Sequence, residues 1–244
     1  MTYDNLELLL RLLIAHTLSD FIFQSSKWVD DKNDKKVRSK YLYIHIAITF
    51  LFTYIALGSW QPLWIPVVIG VSHFAIDLLK LYVKESPWRF ITDQLLHIIV
   101  IVVCWLLYTS QLNILSTEFA FSWGSPKVLI FIISYILVSM PTSILVVELT
   151  KKWDLEVNGN NSDSLKDAGK WIGIIERILI LTFTLLGKFE PIGFMMAAKS
   201  VFRFGDLTNS NDRKRTEYVL VGTLLSFAVS IIVGLLAKQI FKLL

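Results

Sequence analysis

The sequence predicts an all-α, polytopic transmembrane bundle of about eight spans in two four-helix halves. Three observations lead there. The 244 residues are 54% hydrophobic and only 18% charged, with a mean hydropathy of +0.57, which is too apolar for a soluble domain of this size. The apolar runs are long, Leu/Ile-rich and uninterrupted, unlike the ten-residue alternating strands of a membrane barrel. Three of these runs each carry a histidine and an aspartate one helical turn apart: His16 and Asp20, His73 and Asp77, Asp93 and His97.

Taken in order, the candidate spans are 6–24, 41–58, 63–83, 90–109, 127–149, 171–187, 189–204 and 217–236. The first reads as a span rather than a cleavable leader, because it lacks a basic start and a small-residue cleavage site. The 189–204 run is short and carries Lys199 and Arg203, so it reads as a span or as a re-entrant segment. The polar stretch at 111–126 divides a four-helix membrane domain at 1–110 from a second membrane domain of three to four helices at 127–244. Lys and Arg gather in the loops at 25–40, 84–89, 150–170 and 205–216. The positive-inside rule therefore puts these loops in the cytoplasm, and both termini and the 111–126 linker outside. Trp60, Trp64, Trp88, Trp123 and Trp153 fall near the expected interfaces, where tryptophans gather. Cys104 is the only cysteine, which excludes an intrachain disulfide and a thiolate metal site. The net charge of +4 sits in the loops and suggests no nucleic-acid partner.

The third His/Asp motif is written in reverse. Its segment crosses opposite to the first and third, so the reversal brings its His and Asp to the depths of the others. His45, one turn inside the second span, joins them. The expectation is a layer of histidines over a layer of aspartates in the cytoplasmic half of one four-helix bundle. Ionisable side chains at such depth mark functional sites, and His with carboxylate is a ligand set for divalent transition metals. The candidate ligands are His16, Asp20, His45, His73, Asp77, Asp93 and His97. Gln24 and Gln94 would orient them, and Lys80 reads as a snorkelling lysine or a counter-ion for an anionic head group. The alternatives are a hydrogen-bonded polar seam and a proton or ion pathway. Three carboxylates at low dielectric would repel or protonate without a compensating cation, and this favours metal.

These motifs resemble a bacterial membrane family catalogued as domain of unknown function 3307. The resemblance rests on His16-Thr-Leu-Ser-Asp20-Phe21-Ile-Phe-Gln24, His45, His73-Phe-Ala-Ile-Asp77-Leu-Leu-Lys80 and Asp93-Gln94-Leu-Leu-His97, over about 1–110. The second half is similar to an extension found in many members, with Glu176-Arg177, Ala198-Lys199-Ser200 and Arg203, and Glu217-Tyr218 before Gly222-Thr223-Leu224. The resemblance implies a multi-pass protein of the bacterial inner membrane and no activity.

In the second half, Arg177, Lys199 and Arg203 are candidates for binding an anion such as phosphate; the competing reading is ion pairing with Glu176 and Glu217. No glycine-rich phosphate loop, catalytic serine triad order or His-Glu-x-x-His is present. The functional expectation is a metal-dependent membrane hydrolase acting on a lipid or lipid-linked phosphoester. Zinc is the first choice of ion, with manganese or iron as alternatives, and Asp20, Asp77 or Asp93 would act as general base. Its partners would be membrane lipids, an anionic head group among them, and an oligomer is compatible with the sequence. The rivals are a divalent-cation or proton-coupled transporter, and a structural or signalling membrane protein.

Overall fold

The computed structural model describes residues 3–58, 62–111, 124–157, 166–203 and 210–244, and these are helical almost throughout. The helices are α1 (Tyr3–Phe21), α2 (Ser26–Lys35), α3 (Lys40–Leu57), α4 (Trp64–Lys80), α5 (Pro87–Gln111), α6 (Pro126–Val138), α7 (Met140–Val157), α8 (Lys166–Leu186), α9 (Glu190–Arg203) and α10 (Ser210–Leu243). A 3-10 turn, Lys36–Arg38, links α2 to α3. Among the described residues there is no strand.

Eight spans are not supported. Four stretches among the described residues are long and apolar enough to cross a membrane: Lys40–Leu57, Pro87–Ser110, Pro126–Trp153 and Thr216–Leu243. They make this a membrane protein. The other four expected spans form helices, but each falls short for a physical reason. α1 carries Asp4, Glu7, Arg11 and Asp20 within 19 residues. α4 has 17 residues, or roughly 26 Å against a hydrocarbon core of about 30 Å. α8 carries Lys166, Asp167, Lys170, Glu176 and Arg177. α9, with 14 residues, reaches only about 21 Å.

The chain forms two compact units, 1–133 and 134–244. The linker expected at 111–126 lies outside the described residues over 112–123.

In the first unit α1 packs on α3 and α5, and α4 also packs on α3 and α5, which closes a four-helix ring. The ring has two storeys. The apolar storey joins Leu8, Leu12 and Ala15 of α1, Ala56 and Leu57 of α3, Ile65 and Ile69 of α4, and Ile101, Cys104 and Tyr108 of α5. The polar storey lies at the other end, where α1 and α4 finish and α3 and α5 begin. The outer surface is the reverse of a soluble protein's: Leu51, Val71, Leu95, Ile99 and Leu107 are exposed while His45, His73, Asp77, Asp93 and His97 are buried. Water would not select that inversion, whereas a hydrocarbon solvent would.

In the second unit α10 packs on α7 and α8, and α8 also touches α7 and α9. Ile180, Ile192 and Phe227 form its apolar centre. Gly234 permits the α8–α10 approach, since a Cβ there would sit 2.7 Å from Thr184 Cγ2. The α6–α7 junction is a break. Pro141 has no N–H to return to Leu137, and Thr142 Oγ1 donates to the Leu137 carbonyl at 2.7 Å instead.

Candidate functional site

The spacing of each motif does the first part of the work. His16 and Asp20, and Asp93 and His97, are four apart and share a helix face. Asp20 is the penultimate residue of α1, and Asp77 lies in the last turn of α4. His45 and Asp93 lie in the second turns of α3 and α5. All seven expected ligand residues thus meet at one end of the ring, with side chains at most 7% exposed.

Two sets of donor atoms result. In the first, His45 Nε2 and His73 Nε2 are 2.9 Å apart, and Asp20 Oδ1 lies 3.5 Å from the former and 3.3 Å from the latter. In the second, His97 Nε2 lies 3.5 Å from Asp93 Oδ1 and 3.7 Å from Asp77 Oδ1. Asp77 joins the two sets, because its other oxygen, Oδ2, is 3.7 Å from His45 Nε2. Tetrahedral ligands at zinc bond lengths of about 2.0–2.1 Å stand roughly 3.3–3.4 Å apart, so both sets have the dimensions of a metal's coordination shell. The triads His16/Asp20/His73, His45/His73/Asp77 and Asp77/Asp93/His97 each bring one ligand atom per residue within 4.8 Å of the others.

The chemistry of the donor set fits an ion as well. His97 Nε2, Asp93 Oδ1 and His45 Nδ1 are buried without a hydrogen-bond partner among the described residues. A finished hydrogen-bonded seam would satisfy such atoms, since leaving each unmet costs about 1–3 kcal/mol. The rings are crowded together: His73 stacks on His97 with centroids 3.9 Å apart, and His16 lies 5.2 Å from His97.

The orienting residues are partly as expected. Gln94 Oε1 is 3.3 Å from His16 Nε2, and Gln94 Nε2 donates to Asp20 Oδ2 at 3.2 Å and Asp93 Oδ2 at 3.1 Å. Lys80 Nζ donates to Asp93 Oδ2 at 2.6 Å, so it is a site residue rather than a free snorkelling lysine. Gln24 is not drawn in by any such bond; its Nε2 is buried without a partner among the described residues.

Three contributors were not expected. Lys32, counted above among the loop charges, is 5% exposed and donates to Asp77 Oδ2 at 2.9 Å. Ser19 Oγ donates to Asp20 Oδ1 at 3.1 Å and lies 2.9 Å from Thr49 Oγ1. Thr49 in turn donates to the His45 carbonyl at 3.0 Å. Lys32 had one legible signal, the i,i+4 spacing of Asp31 with Lys35 and of Trp28 with Lys32, which marks a short helix. Nothing in that spacing says that the helix turns a lysine inward.

The anion candidates of the second unit are spoken for. Arg177 Nε donates to the Val138 carbonyl at 2.5 Å, Nη1 to Ser226 Oγ at 3.1 Å, and Nη2 to the Ser139 carbonyl at 3.0 Å and to Ser143 Oγ. These carbonyls are the open end of α6 at its break, and a cation suits the negative pole of a helix C-terminus. Lys199 Nζ is 2.6 Å from Glu176 Oε2. Lys199 with Glu176 is the ion pair given above as the competing reading, whereas Arg177 is a staple on neutral acceptors, which neither reading named. Arg203 ends α9, and its side chain lies outside the described residues.

Residues 8–124 match the family model described as "Protein of unknown function (DUF3307)". No curated protein and no solved structure matches the chain.

Proposed function

Starting from that family assignment, which carries no activity, we propose that the polar storey is a divalent-metal site serving hydrolysis of a lipid or lipid-linked phosphoester. The observation that carries this reading is the pair of donor sets joined by Asp77, with His97 Nε2 and Asp93 Oδ1 facing each other at 3.5 Å without a hydrogen bond. Charge supports it. Three carboxylates face two ammonium groups, Lys32 and Lys80, which leaves one negative charge with neutral imidazoles. One divalent ion with one anionic oxygen, or one divalent ion in place of Lys32, would bring that to zero.

His45, His73 and Asp20 form the tighter set and would hold the ion, with Asp77 and His97 completing or extending it. Zinc suits these ligands best, and manganese or iron next. When bound, the ion would lower the pKa of a water and polarise the scissile group. Asp93 is the carboxylate best placed as general base. Lys80 and Gln94 hold its Oδ2, and Oδ1, which faces His97 Nε2 at 3.5 Å without a hydrogen bond, would receive the proton. Ser19 and Gln94 keep Asp20 aimed at the histidines. The lipid part of the reading rests on two features. The site lies at an end of the ring, and the outer faces of α3 and α4 form an apolar groove of about 670 Å³ lined by Ala47, Phe50, Gly70 and Phe74 among others. The cytoplasmic leaflet of an inner membrane is the proposed setting, from the charges of the 25–40 and 84–89 loops.

The test is turnover of phospholipids and lipid-linked phosphates by purified protein loaded with Zn²⁺ or Mn²⁺, beside a chelated sample and Asp93→Asn. Metal-dependent turnover lost in Asp93→Asn is expected. A second reading, proton or cation transport, draws on the same charge count, because a single proton also neutralises the storey. Ion flux in proteoliposomes without turnover would establish transport and end the hydrolase reading.

A further inference from the structure

α2 is an unusual helix. It has ten residues, and the single one buried is a lysine, Lys32. A helix this short is marginal in water unless something docks it, and helices normally dock through an apolar face. Here the described contacts are polar or peripheral. Lys32 donates to Asp77, Asp31 accepts from Ser39 at the foot of α3 at 2.5 Å, and Trp28 stacks on Tyr41 with centroids 5.2 Å apart. The helix packs on α3 and on its own 3-10 turn.

Its two ends differ from ordinary caps. Ser25 at the N-terminus makes no side-chain capping bond. Lys36 at the C-terminus has φ 53° and ψ −128°, the one positive φ among the described non-glycine residues. An L-residue pays for that conformation, so docking of the segment is held against strain at its joint. The oxygen that Lys32 grips is Asp77 Oδ2, and this atom faces His45 Nε2 at 3.7 Å within the His45/His73/Asp77 triad. An ion seated there would share the oxygen with an ammonium group, and like charges so close repel strongly when shielded from water.

We infer that Lys32 is the resident cation of the site and that the segment 26–38 is a latch, docked by Lys32 on Asp77 and released when a divalent ion takes that oxygen. The exchange half of this inference rests on the proposed metal reading; the latch half does not. Release would uncover the end of the ring from which the Asp layer is reached, so loading and access would be coupled. The opposite role for Lys32, orienting Asp77 for the ion, predicts the opposite sign and is the rival to defeat.

The experiment uses the full chain in nanodiscs, as wild type and as Lys32→Met, with exposed Lys27→Met as control. Two quantities are read: hydrogen exchange of residues 26–38 without added ion, and affinity for Zn²⁺ and Mn²⁺ by competition with a chromophoric chelator. The latch predicts that protection of 26–38 falls at least tenfold in Lys32→Met and stays unchanged in Lys27→Met. The exchange predicts that Lys32→Met binds the ion at least tenfold more tightly. Unchanged protection in Lys32→Met overturns the latch, and weakened ion binding overturns the exchange in favour of an orienting lysine. Loss of protection with no ion bound by any sample supports the latch and counts against the metal reading alone. Asp77→Asn, which also removes the grip, should loosen 26–38 likewise and guards against a local folding defect in Lys32→Met.

Discussion

Both units bury cations among helices, and they treat them differently. In the second unit Arg177 meets two carbonyls and two hydroxyls, all neutral acceptors, and each of its three nitrogens has a target. In the first unit Lys32 and Lys80 meet carboxylates, and around them His45 Nδ1 has no hydrogen bond among the described residues, while His97 Nε2 and Asp93 Oδ1 face each other at 3.5 Å without forming one. The difference separates a polar group that completes a structure from one that awaits a ligand. A staple closes its hydrogen-bond account, whereas a binding site leaves acceptors and ring nitrogens facing one another at ligand spacing.

If the comparison is right, variants of the two units should fail differently. The largest effect is expected at Asp77, whose two oxygens join both donor sets. Asp77→Asn should lower divalent-ion affinity by more than about a hundredfold, beyond what losing an orienting partner costs, while thermal unfolding in detergent shifts little. Arg177→Met should do the reverse. It strands the Val138 and Ser139 carbonyls at the helix break, costs about 3 kcal/mol in stability, and leaves ion content unchanged. A fall in ion content with Arg177→Met would break the comparison.

Smaller effects sharpen it. Gly234→Ala would press a methyl against Thr184, 2.7 Å from its Cγ2, and should cost about 1–3 kcal/mol in unfolding measurements. Gln94→Leu removes the donor shared by Asp20 and Asp93 and should weaken ion binding by about 10- to 100-fold without a large stability change.

The smallest effect concerns Asp31, outside the membrane helices. Hydrogen bonds from Lys35, then Ser39, hold its carboxyl below the usual range. A depressed carboxylate contributes stability above its unfolded pKa of about 3.9 and loses it as pH falls through the lower folded value. Protection of 26–38 should therefore be level from neutral pH down to about pH 5 and decline only below about pH 4. A decline centred near neutral pH would point to a histidine instead.

The His/Asp layering was legible because it is local: a four-residue spacing fixes a helix face, and a reversed motif fixes an antiparallel neighbour. His16, Asp20, His73, Asp77, Asp93 and His97 needed only that, and His45 followed from its place one turn inside its span. Helix extents were legible in part, as 3–21 against an expected 6–24 and 190–203 against 189–204 show, but the expected span 127–149 is split into 126–138 and 140–157 at Pro141, and 26–35, read as loop, is helical. The number of spans was not legible, because a run such as α1 looks apolar while carrying four charges whose burial depends on neighbours. Lys32 and Arg177 were not legible either. Whether a cation faces solvent, a carboxylate or a broken helix end is decided by partners 45 and 38 residues away along the chain, and no local pattern encodes that.

The most direct test of the central claim is elemental analysis of purified wild type, Asp77→Asn and Arg177→Met side by side. The account predicts near-stoichiometric divalent transition metal in wild type and in whatever Arg177→Met remains folded, and its loss in Asp77→Asn. Folded wild type that holds no such metal and takes none up from Zn²⁺, Mn²⁺ or Fe²⁺ would contradict it.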